Sequence, residues 1–323
     1  MHIYVENDSA LPSVFHITEK MVRESLPETL LDARISVRKS DQLDEGLLQI
    51  SDVFVGSGFD TEIIAKHGKR LKVIHCLTAG VEAYAPLDWI PEGAAFTNSS
   101  GVQADKSAMF GPMAILMLNE RIPKYATDQR RRIWDPTFST NVRGKTAAFC
   151  GFGAIGQAIA SKLRDLGMSV IAIRRSGEKH PDADETYGPE RLAEVLPRSD
   201  FLVICCPLTE QTRGLIGEGE LNLLPRGAAV LNIGRGPVVD NRALTAALTN
   251  EHLSGAIVDV FDPEPLPDES SLWNVPNLMI LPHISCDDPH GYIDRCLSIL
   301  SQNLDRLIRG EALRNVVDPV RGY

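Results

Sequence analysis

The chain has 323 residues, of which 33 are basic and 43 acidic, so its formal net charge is −10. That length suits two domains, each of which can bury its own core. The acidic balance argues against a nucleic-acid partner, which would need a basic surface. No segment approaches the roughly 20 consecutive apolar residues of a membrane span, and the N-terminus lacks the layout of a signal peptide. The sequence therefore predicts a cytoplasmic protein with no membrane partner.

The six cysteines follow neither a metal-binding nor a disulfide pattern. None forms a C-x-x-C pair, none belongs to a Cys/His cluster with zinc spacing, and most lie in apolar runs. They are Cys76, Cys150, Cys205, Cys206, Cys286 and Cys296. Reduced core thiols are the usual outcome of such placement, and we predict no metal site.

The first hundred residues alternate short apolar runs with amphipathic segments, which is typical of a parallel sheet with helices on its faces. Helices are predicted at Ile17–Leu26 and Thr61–His67. The predicted strands are Met1–Val5, Arg34–Val37, Val53–Gly56, Val73–Leu77 and Ala94–Thr97.

A second α/β stretch, from about Gly144 to His283, contains six predicted strands separated by helices, which fits a doubly wound nucleotide-binding domain. Its strands are Ala147–Cys150, Val170–Ile173, Phe201–Cys205, Ala229–Ile233, Gly255–Asp259 and Leu278–Leu281. The fold class is therefore predicted as α/β with two doubly wound domains. Residues 1–100 plus 288–323 would form a flavodoxin-like substrate domain, and residues 101–287 a Rossmann dinucleotide-binding domain.

Two further segments have helical periodicity. A long apolar helix is predicted within Asp105–Trp134, where it would bridge the domains or pack on a second subunit; on the latter basis we predict a homodimer. A methionine-rich stripe is also typical of plain core, so that alternative stays open. The second helix, Tyr292–Arg309, is predicted to cross back and pack on the first domain.

The segment Gly151–Gly156 reads Gly-Phe-Gly-Ala-Ile-Gly and lies between a predicted strand and a helix predicted at Gln157–Leu166. In such a turn the first glycine permits a tight bend, the second lets the backbone approach a pyrophosphate, and the third lets the helix pack closely on the strand. The N–H groups and dipole of the helix N-terminus then face the phosphates. The predicted dinucleotide-binding residues are Gly151, Gly153, Ala154, Ile155 and Gly156.

The residues after the next predicted strand indicate which dinucleotide is bound. A site for NAD usually has an acidic side chain there, which binds the ribose 2′-hydroxyl. This chain has Arg174, Arg175 and Ser176 instead. Guanidinium groups can pair with a 2′-phosphate, so NADP(H) is favoured over NAD(H). The alternative is that the two arginines are merely solvated surface.

Three further motifs each follow a predicted strand, at the edge where open α/β sheets bind ligands. They are Asn232–Gly236 (N-I-G-R-G), Asp259–Pro265 (D-V-F-D-P-E-P) and Leu281–Ser285 (L-P-H-I-S). An arginine, a carboxylate and a histidine are thereby predicted to converge on one edge of the sheet.

The glycine turn and these three motifs, in this order and approximate spacing, resemble the D-isomer-specific 2-hydroxyacid dehydrogenase family, which includes the glyoxylate and hydroxypyruvate reductases. The resemblance covers nearly the whole chain. It implies that Arg235 grips the carboxylate and 2-oxo group of the substrate, because a planar guanidinium matches that two-oxygen array. It also implies that His283 gives a proton to the carbonyl oxygen, and that Glu264 orients the ring and keeps it protonated.

The same resemblance implies the remaining cofactor contacts. Pro207 and Thr212 would form the loop beneath the ribose and pyrophosphate. Ile233 would supply a backbone contact, and Asp259 would hydrogen-bond the nicotinamide carboxamide.

Four residues of the N-terminal domain are implied as substrate contacts. Ala79 and Gly80 would bind the substrate carboxylate through backbone N–H groups, which hold an anion without a charged side chain. Ser57 and Gly58 would line the far wall of the pocket.

The sequence therefore predicts an enzyme that reduces a small 2-oxo acid, of the glyoxylate or hydroxypyruvate type, to the D-2-hydroxy acid with NADPH preferred. Two alternatives stay open. One is NAD-dependent oxidation of a D-2-hydroxy acid, and the other is a non-catalytic dinucleotide-sensing interaction protein, because the family includes corepressors on the same fold.

Overall fold

In the computed structural model, which describes residues 1–319 and 321–322, parallel strands alternate with helices along the chain. The strands are β1 (His2–Asn7), β2 (Arg34–Lys39), β3 (Val53–Gly56), β4 (Val73–Cys76), β5 (Ala95–Thr97), β6 (Thr146–Cys150), β7 (Ser169–Ile173), β8 (Glu185–Tyr187), β9 (Phe201–Ile204), β10 (Ala229–Asn232), β11 (Gly255–Val258) and β12 (Leu278–Ile280). The α-helices are α1 (Glu19–Ser25), α2 (Glu45–Ile50), α3 (Thr61–His67), α4 (Ala104–Asn119), α5 (Ile122–Arg131), α6 (Ala154–Asp165), α7 (Leu192–Val195), α8 (Glu218–Leu223), α9 (Asn241–Thr249) and α10 (Tyr292–Arg309).

The strands form two wholly parallel sheets, which confirms the predicted α/β class. One sheet has the order β2-β1-β3-β4-β5 and the other β12-β11-β10-β9-β6-β7-β8. Each sheet belongs to its own compact unit. The smaller unit contains residues 1–102 and the C-terminal segment from Asp288, and the larger unit contains residues 103–287.

In the smaller unit, the sheet is buried on both faces by different kinds of side chain. On one face, aliphatic residues of α1 and α10 pack on β1 and β3, among them Val22, Leu297 and Leu300. The opposite face carries an aromatic cluster, consisting of Tyr4, Phe54, Phe59, Tyr84, Trp89 and Phe96. Helix α10 has the predicted bounds and packs on α1 within this unit.

In the larger unit, β6, β9 and β10 are buried throughout, with only the first residue of β6 partly exposed. Helices α4 and α6 cover one face, and α8 and α9 cover the other. Parallel strands that are covered on both faces have continuous apolar sequences, which is why their positions could be predicted. The sheet topology places the carboxyl ends of all its strands at one edge.

Two predictions about this unit were wrong. Strand β8 was missed because it is a three-residue edge strand, partly exposed, with no apolar run. The single long helix expected within Asp105–Trp134 is two helices, α4 and α5. They are separated at Arg121, whose φ is 55°, and Pro123 lies in the first turn of α5. The left-handed conformation of Arg121 ends the helical path, and Pro123 is compatible with the first turn of the helix that follows.

Within the described residues, no helix has both the length and the apolar character needed to span a membrane. The same part of the chain contains no group of three or more His, Cys, Asp or Glu side chains arranged to hold a metal ion.

Candidate active site

The glycine turn after β6 requires its glycines for steric reasons. Gly151 has a φ of +92°, and a Cβ there would lie 2.6 Å from the backbone nitrogen of Cys206. A Cβ on Gly156 would lie 3.1 Å from the Gly151 carbonyl oxygen, so α6 packs tightly on the turn. A Cβ on Gly153, by contrast, would meet nothing within 4 Å. The turn is therefore closed on the protein side and open at Gly153.

The open side of the turn can hold a phosphate. Gly153 is the N-cap of the 12-residue helix α6, and no side chain caps that end. The first backbone N–H groups of a helix have no intrahelical acceptor, and together with the helix dipole they favour an anion. Ala154, Ile155 and Gly156 supply these groups, so the residues present fit a dinucleotide pyrophosphate.

The predicted 2′-phosphate residues lie at the neighbouring strand end. Strand β7 pairs with β6 and ends at Ile173, so Arg174 follows at the same sheet edge as the glycine turn. The Gly177 N–H donates to the Arg174 carbonyl at 3.0 Å, which bends the chain there. Arg174 is half-buried, whereas Arg175 and Ser176 are exposed. Two guanidinium groups thus follow the strand that neighbours the dinucleotide turn.

Arg235 is held by a self-contained turn after β10. The Asn232 Oδ1 accepts the Gly234 N–H at 3.1 Å, and the Asn232 Nδ2 donates to the Arg235 carbonyl at 3.4 Å. A Cβ on Gly236 would overlap the backbone of Phe261, which brings this turn against the chain that follows β11. Asn232, which opens the N-I-G-R-G motif, shapes this turn, a role that the sequence analysis did not single out.

The positive charge of Arg235 affects the pKa of the Cys206 thiol. The pKa of Cys206 is lowered, first by a hydrogen bond with the Cys150 thiol and further by the positive charge of Arg235. Arg235 is half-buried, and its Nη1 donates to the Gly234 carbonyl at 2.8 Å.

Glu264 and His283 form a directly bonded pair. The Glu264 Oε2 lies 2.7 Å from the His283 Nδ1, and the Glu264 Oε1 accepts the Phe261 N–H at 2.7 Å. A carboxylate only accepts, so the Nδ1 must carry its proton, and the Nε2 is left to face a ligand. His283 itself has a φ of 55°, an uncommon conformation for a residue other than glycine. The backbone N–H of Phe261 thus fixes the carboxylate, and the carboxylate fixes the imidazole.

Asp259 also has a structural role that the sequence analysis did not predict. Its carboxylate is 2% exposed and accepts the Ile284 N–H at 2.9 Å, the Ser285 N–H at 3.1 Å and the Ser285 hydroxyl at 2.6 Å. These bonds tie the residues directly after His283 to the end of β11. Asp259 therefore positions the histidine, while its predicted contact with the nicotinamide stays a prediction.

The remaining predicted cofactor residues follow β9 and β10. Strand β9 ends at Ile204, one residue earlier than predicted, and Pro207 lies in the loop that follows. The Thr212 hydroxyl donates to the Pro207 carbonyl at 2.7 Å, so it closes this loop. Ile233 is buried, and its N–H donates to the Ile204 carbonyl at 3.0 Å.

In the smaller unit, three hydrogen bonds hold the carbonyl groups of the loop that follows β4. The Thr78 carbonyl accepts the Ser99 N–H at 3.1 Å, and the Ala79 carbonyl accepts the Asn98 Nδ2 at 2.8 Å. The Thr78 hydroxyl donates to the Gly80 carbonyl at 2.7 Å. In a trans peptide the N–H points opposite to the carbonyl, so pinned carbonyls leave the N–H groups of Ala79 and Gly80 turned outward. Among the described residues, none accepts a hydrogen bond from either of these two N–H groups.

Asn98 and Ser99 were missed by the sequence analysis. They follow β5, which pairs with β4, so they share an edge with Ala79 and Gly80. That strand-end position was the available signal. The last two predicted substrate residues follow β3: Ser57 is buried, while Gly58 is exposed with a φ of +66°.

The chain is similar to known proteins over nearly its full length. Residues 112–285 match the family model for the NAD-binding domain of D-isomer specific 2-hydroxyacid dehydrogenases. Glyoxylate/hydroxypyruvate reductase B of Pectobacterium carotovorum is 30% identical over 320 residues, which are 95% of this chain and 98% of that protein. Glyoxylate/hydroxypyruvate reductase A of Citrobacter koseri is 32% identical over 266 residues, 79% of this chain and 83% of the relative.

A solved structure is similar as well. The D-isomer specific 2-hydroxyacid dehydrogenase of Xanthobacter autotrophicus, in complex with NADPH and MES, superposes with a TM-score of 0.85 at 30% identity, with 99% of each chain covered. The family model and the full-length relatives agree with the motifs and with the two-sheet fold. The chain is therefore an oxidoreductase with a nicotinamide dinucleotide cofactor, and it belongs to the D-isomer-specific 2-hydroxyacid dehydrogenase family.

Proposed function

We propose that this protein reduces a small 2-oxo acid to the D-2-hydroxy acid and prefers NADPH. The observation that carries this proposal is the His283–Glu264 pair, in which the Nδ1 and the Oε2 are 2.7 Å apart. His283, Glu264 and Arg235 follow β12, β11 and β10, which are neighbours in the sheet. Reduction of a carbonyl next to a carboxylate requires a proton donor for the carbonyl oxygen and a cationic group that binds the carboxylate, and an imidazole and a guanidinium can fill these two roles.

His283 is the proposed acid. Its Nδ1 proton is committed to Glu264, so the proton that leaves for the carbonyl oxygen comes from the Nε2. Glu264 then stabilises the ring during the transfer, since its second oxygen is already held by the Phe261 N–H. The nicotinamide, when bound, supplies the hydride to the carbonyl carbon.

Arg235 and the loop at Ala79 and Gly80 are the proposed substrate ligands. The guanidinium would bind the carboxylate and stabilise the negative charge that grows on the carbonyl oxygen. The outward N–H groups of Ala79 and Gly80 are proposed to bind a substrate carboxylate.

The preference for NADPH is supported by Arg174 and Arg175, which follow β7 where a carboxylate would be needed for NAD. The related Xanthobacter enzyme was solved with NADPH, and the relatives named above are reductases of glyoxylate and hydroxypyruvate. These two acids are therefore the first substrates to test. Because cells usually keep NADPH in its reduced form, a preference for NADPH also favours reduction of the 2-oxo acid over oxidation of the 2-hydroxy acid.

A homodimer is proposed on a separate observation. Helix α4 leaves large apolar side chains exposed, including Met109 at 72%, and the segment after α5 exposes Trp134 at 96% and Phe138 at 90%. Exposed apolar side chains in this number mark an interaction surface. Light scattering of the purified protein should give twice the mass of the chain. The cytoplasmic location stays a prediction.

The decisive experiment is a steady-state screen of glyoxylate, hydroxypyruvate, pyruvate and larger 2-oxo acids with NADPH and NADH in parallel, followed by chiral analysis of the product. We expect turnover with at least one small acid, a higher kcat/KM with NADPH, and the D-product. Tight NADPH binding without turnover of any acid would instead support the non-catalytic alternative.

A further inference from the structure

Three polar side chains, two of them buried and one half-buried, lie between the two proposed substrate loops of the smaller unit, and the proposed chemistry uses none of them directly. They are Tyr84, Cys76 and Thr78. Cys76 is fully buried and Tyr84 is 9% exposed, within the aromatic cluster. A buried polar group costs free energy unless it is hydrogen-bonded, so their partners matter.

The partners form a continuous path from one loop to the other. The Gly58 N–H donates to the Tyr84 hydroxyl at 2.7 Å. The Tyr84 hydroxyl interacts with the Cys76 thiol, which adds to the effect of burial in raising the pKa of Tyr84. The Cys76 Sγ lies 3.1 Å from the Thr78 Oγ1, and the Thr78 hydroxyl donates to the Gly80 carbonyl at 2.7 Å. We call Tyr84, Cys76 and Thr78 the relay.

The direction of every proton in the relay is determined by its two ends. The Gly58 N–H can only donate, and the Gly80 carbonyl can only accept. Because Thr78 gives its proton to Gly80, the Cys76 thiol must donate to Thr78. Its sulfur is then free to accept from the hydroxyl of Tyr84. All the donors therefore point from the Gly58 loop toward the Gly80 loop.

The relay remains neutral under ordinary conditions. Burial raises the pKa of Tyr84 and also raises the pKa of Cys76, so each keeps its proton. Aligned neutral hydrogen bonds in a low-dielectric interior strengthen one another. Removal of any member should therefore weaken the hydrogen bonds at both Gly58 and Gly80.

We propose that the relay is a positioning device that couples the Ser57–Gly58 loop to the Ala79–Gly80 loop, and that Tyr84 thereby sets the affinity for the 2-oxo acid without touching it. This role rests on the proposed function, because it takes these two loops as the substrate-binding ones.

The physical reason lies in what the relay holds at each end. Gly58 has a left-handed φ of +66° and would lose the acceptor of its N–H without the Tyr84 hydroxyl. At the other end, the Thr78 hydroxyl pins the Gly80 carbonyl and so keeps it out of the space where an anion would bind. At both ends the group that holds the loop is a neutral hydroxyl, that of Tyr84 at Gly58 and that of Thr78 at Gly80, so a substitution that removes one oxygen atom breaks the contact.

Four variants test the relay. Tyr84→Phe removes the hydroxyl and keeps the ring, and Cys76→Ala removes the middle member, which touches neither Gly58 nor Gly80. Cys76→Ser restores a group that both donates and accepts. The matched control is Trp89→Phe, which removes the 2.8 Å bond from Trp89 Nε1 to the Tyr84 carbonyl in the same aromatic cluster but leaves the relay intact.

We expect Tyr84→Phe and Cys76→Ala to raise the KM for the 2-oxo acid about tenfold, equivalent to about 1.4 kcal/mol, the size of one buried hydrogen bond. The kcat should fall less than about threefold and NADPH affinity should not change, because the relay contacts neither His283 nor the glycine turn. Cys76→Ser should bring KM back toward the wild-type value, and Trp89→Phe should lower Tm with KM unchanged.

A readout without turnover separates this inference from the proposed function. Amide hydrogen exchange should speed up at Gly58, whose N–H donates to the Tyr84 hydroxyl, in Cys76→Ala, and it should recover in Cys76→Ser. Exchange unchanged at Gly58 in Cys76→Ala, or a KM equal in Tyr84→Phe and wild type, would overturn the relay. If the wild-type protein reduces no 2-oxo acid but the two Cys76 variants change the exchange at Gly58 as expected, the relay stands and the proposed function is overturned instead.

Discussion

Replacement of Glu264 by glutamine tests how the active-site histidine is made into an acid. The carboxylate makes two bonds of 2.7 Å, one from the Phe261 N–H and one from the His283 Nδ1. A glutamine cannot satisfy both as they are. If its oxygen accepts the Phe261 N–H, its amide group meets the Nδ1 as a donor, and the ring must give up the Nδ1 proton.

The size of the effect follows from the bond that is lost. A hydrogen bond to a charged group contributes about 1.5–3 kcal/mol. The side chains of His283 and Glu264 are 48% and 35% exposed, so solvent screens the pair. We therefore expect the lower part of that range, about 1.5–2 kcal/mol, and a kcat for reduction that falls about 10- to 30-fold. His283→Ala removes the acid itself and should cost more, about 10²- to 10⁴-fold.

The assay is NADPH oxidation at saturating 2-oxo acid, with NADPH affinity measured separately by fluorescence. Asp262→Asn is the matched control, because it removes one negative charge from the same loop without a bond to the histidine. The reasoning is refuted if Glu264→Gln turns over within twofold of the wild type, or if Asp262→Asn loses as much activity.

Three further perturbations test other parts of the molecule. Arg235→Lys keeps the charge but loses the planar fork, so kcat/KM for the 2-oxo acid should fall about 10²-fold or more while NADPH binding is retained; equal kcat/KM would remove the arginine from the mechanism. Arg174→Asp should lower the NADPH/NADH ratio of kcat/KM at least about tenfold through the loss of charge-assisted bonds to the 2′-phosphate, and a constant ratio would contradict that assignment. Burial, with two nearby aspartates, raises the pKa of Glu6 to about 7 from its ordinary 4.5. The unfolded chain thus loses this proton at lower pH than the folded one, and stability falls as pH rises from 4.5 to 7. In urea unfolding, the free energy of unfolding of Glu6→Gln should therefore decrease by up to about 3 kcal/mol less than that of the wild type over this pH range. Parallel pH profiles for the two proteins would refute this reasoning.

Most of the fold could be predicted from the sequence because parallel strands covered on both faces have continuous apolar runs. The bounds of β3, α3 and α10 were predicted to the residue. Strand β8 and the break between α4 and α5 could not be predicted in the same way. An exposed edge strand has no apolar signature, and the break at Arg121 depends on a local left-handed conformation.

The candidate catalytic residues were accessible from the sequence for a related reason. Arg235, Glu264 and His283 each belong to a contiguous motif after a strand, and the carboxyl ends of parallel strands meet at one edge. Their order along the chain was therefore enough to bring them together. The detail that Phe261 fixes Glu264 through its N–H required the structure, since a backbone hydrogen bond has no sequence signature.

The sequence by itself determined the fold class, the dinucleotide turn and the three residues proposed for catalysis, because local patterns specify strands, turns and strand ends. Tertiary structure alone decided how those parts are held. The anchoring of the loop after His283 by Asp259, the carbonyls pinned at Thr78 and Ala79, and the relay through Tyr84 all join residues that are distant in the chain or ordinary in type. Such bonds depend on which buried donor faces which acceptor, and only the packed chain settles that.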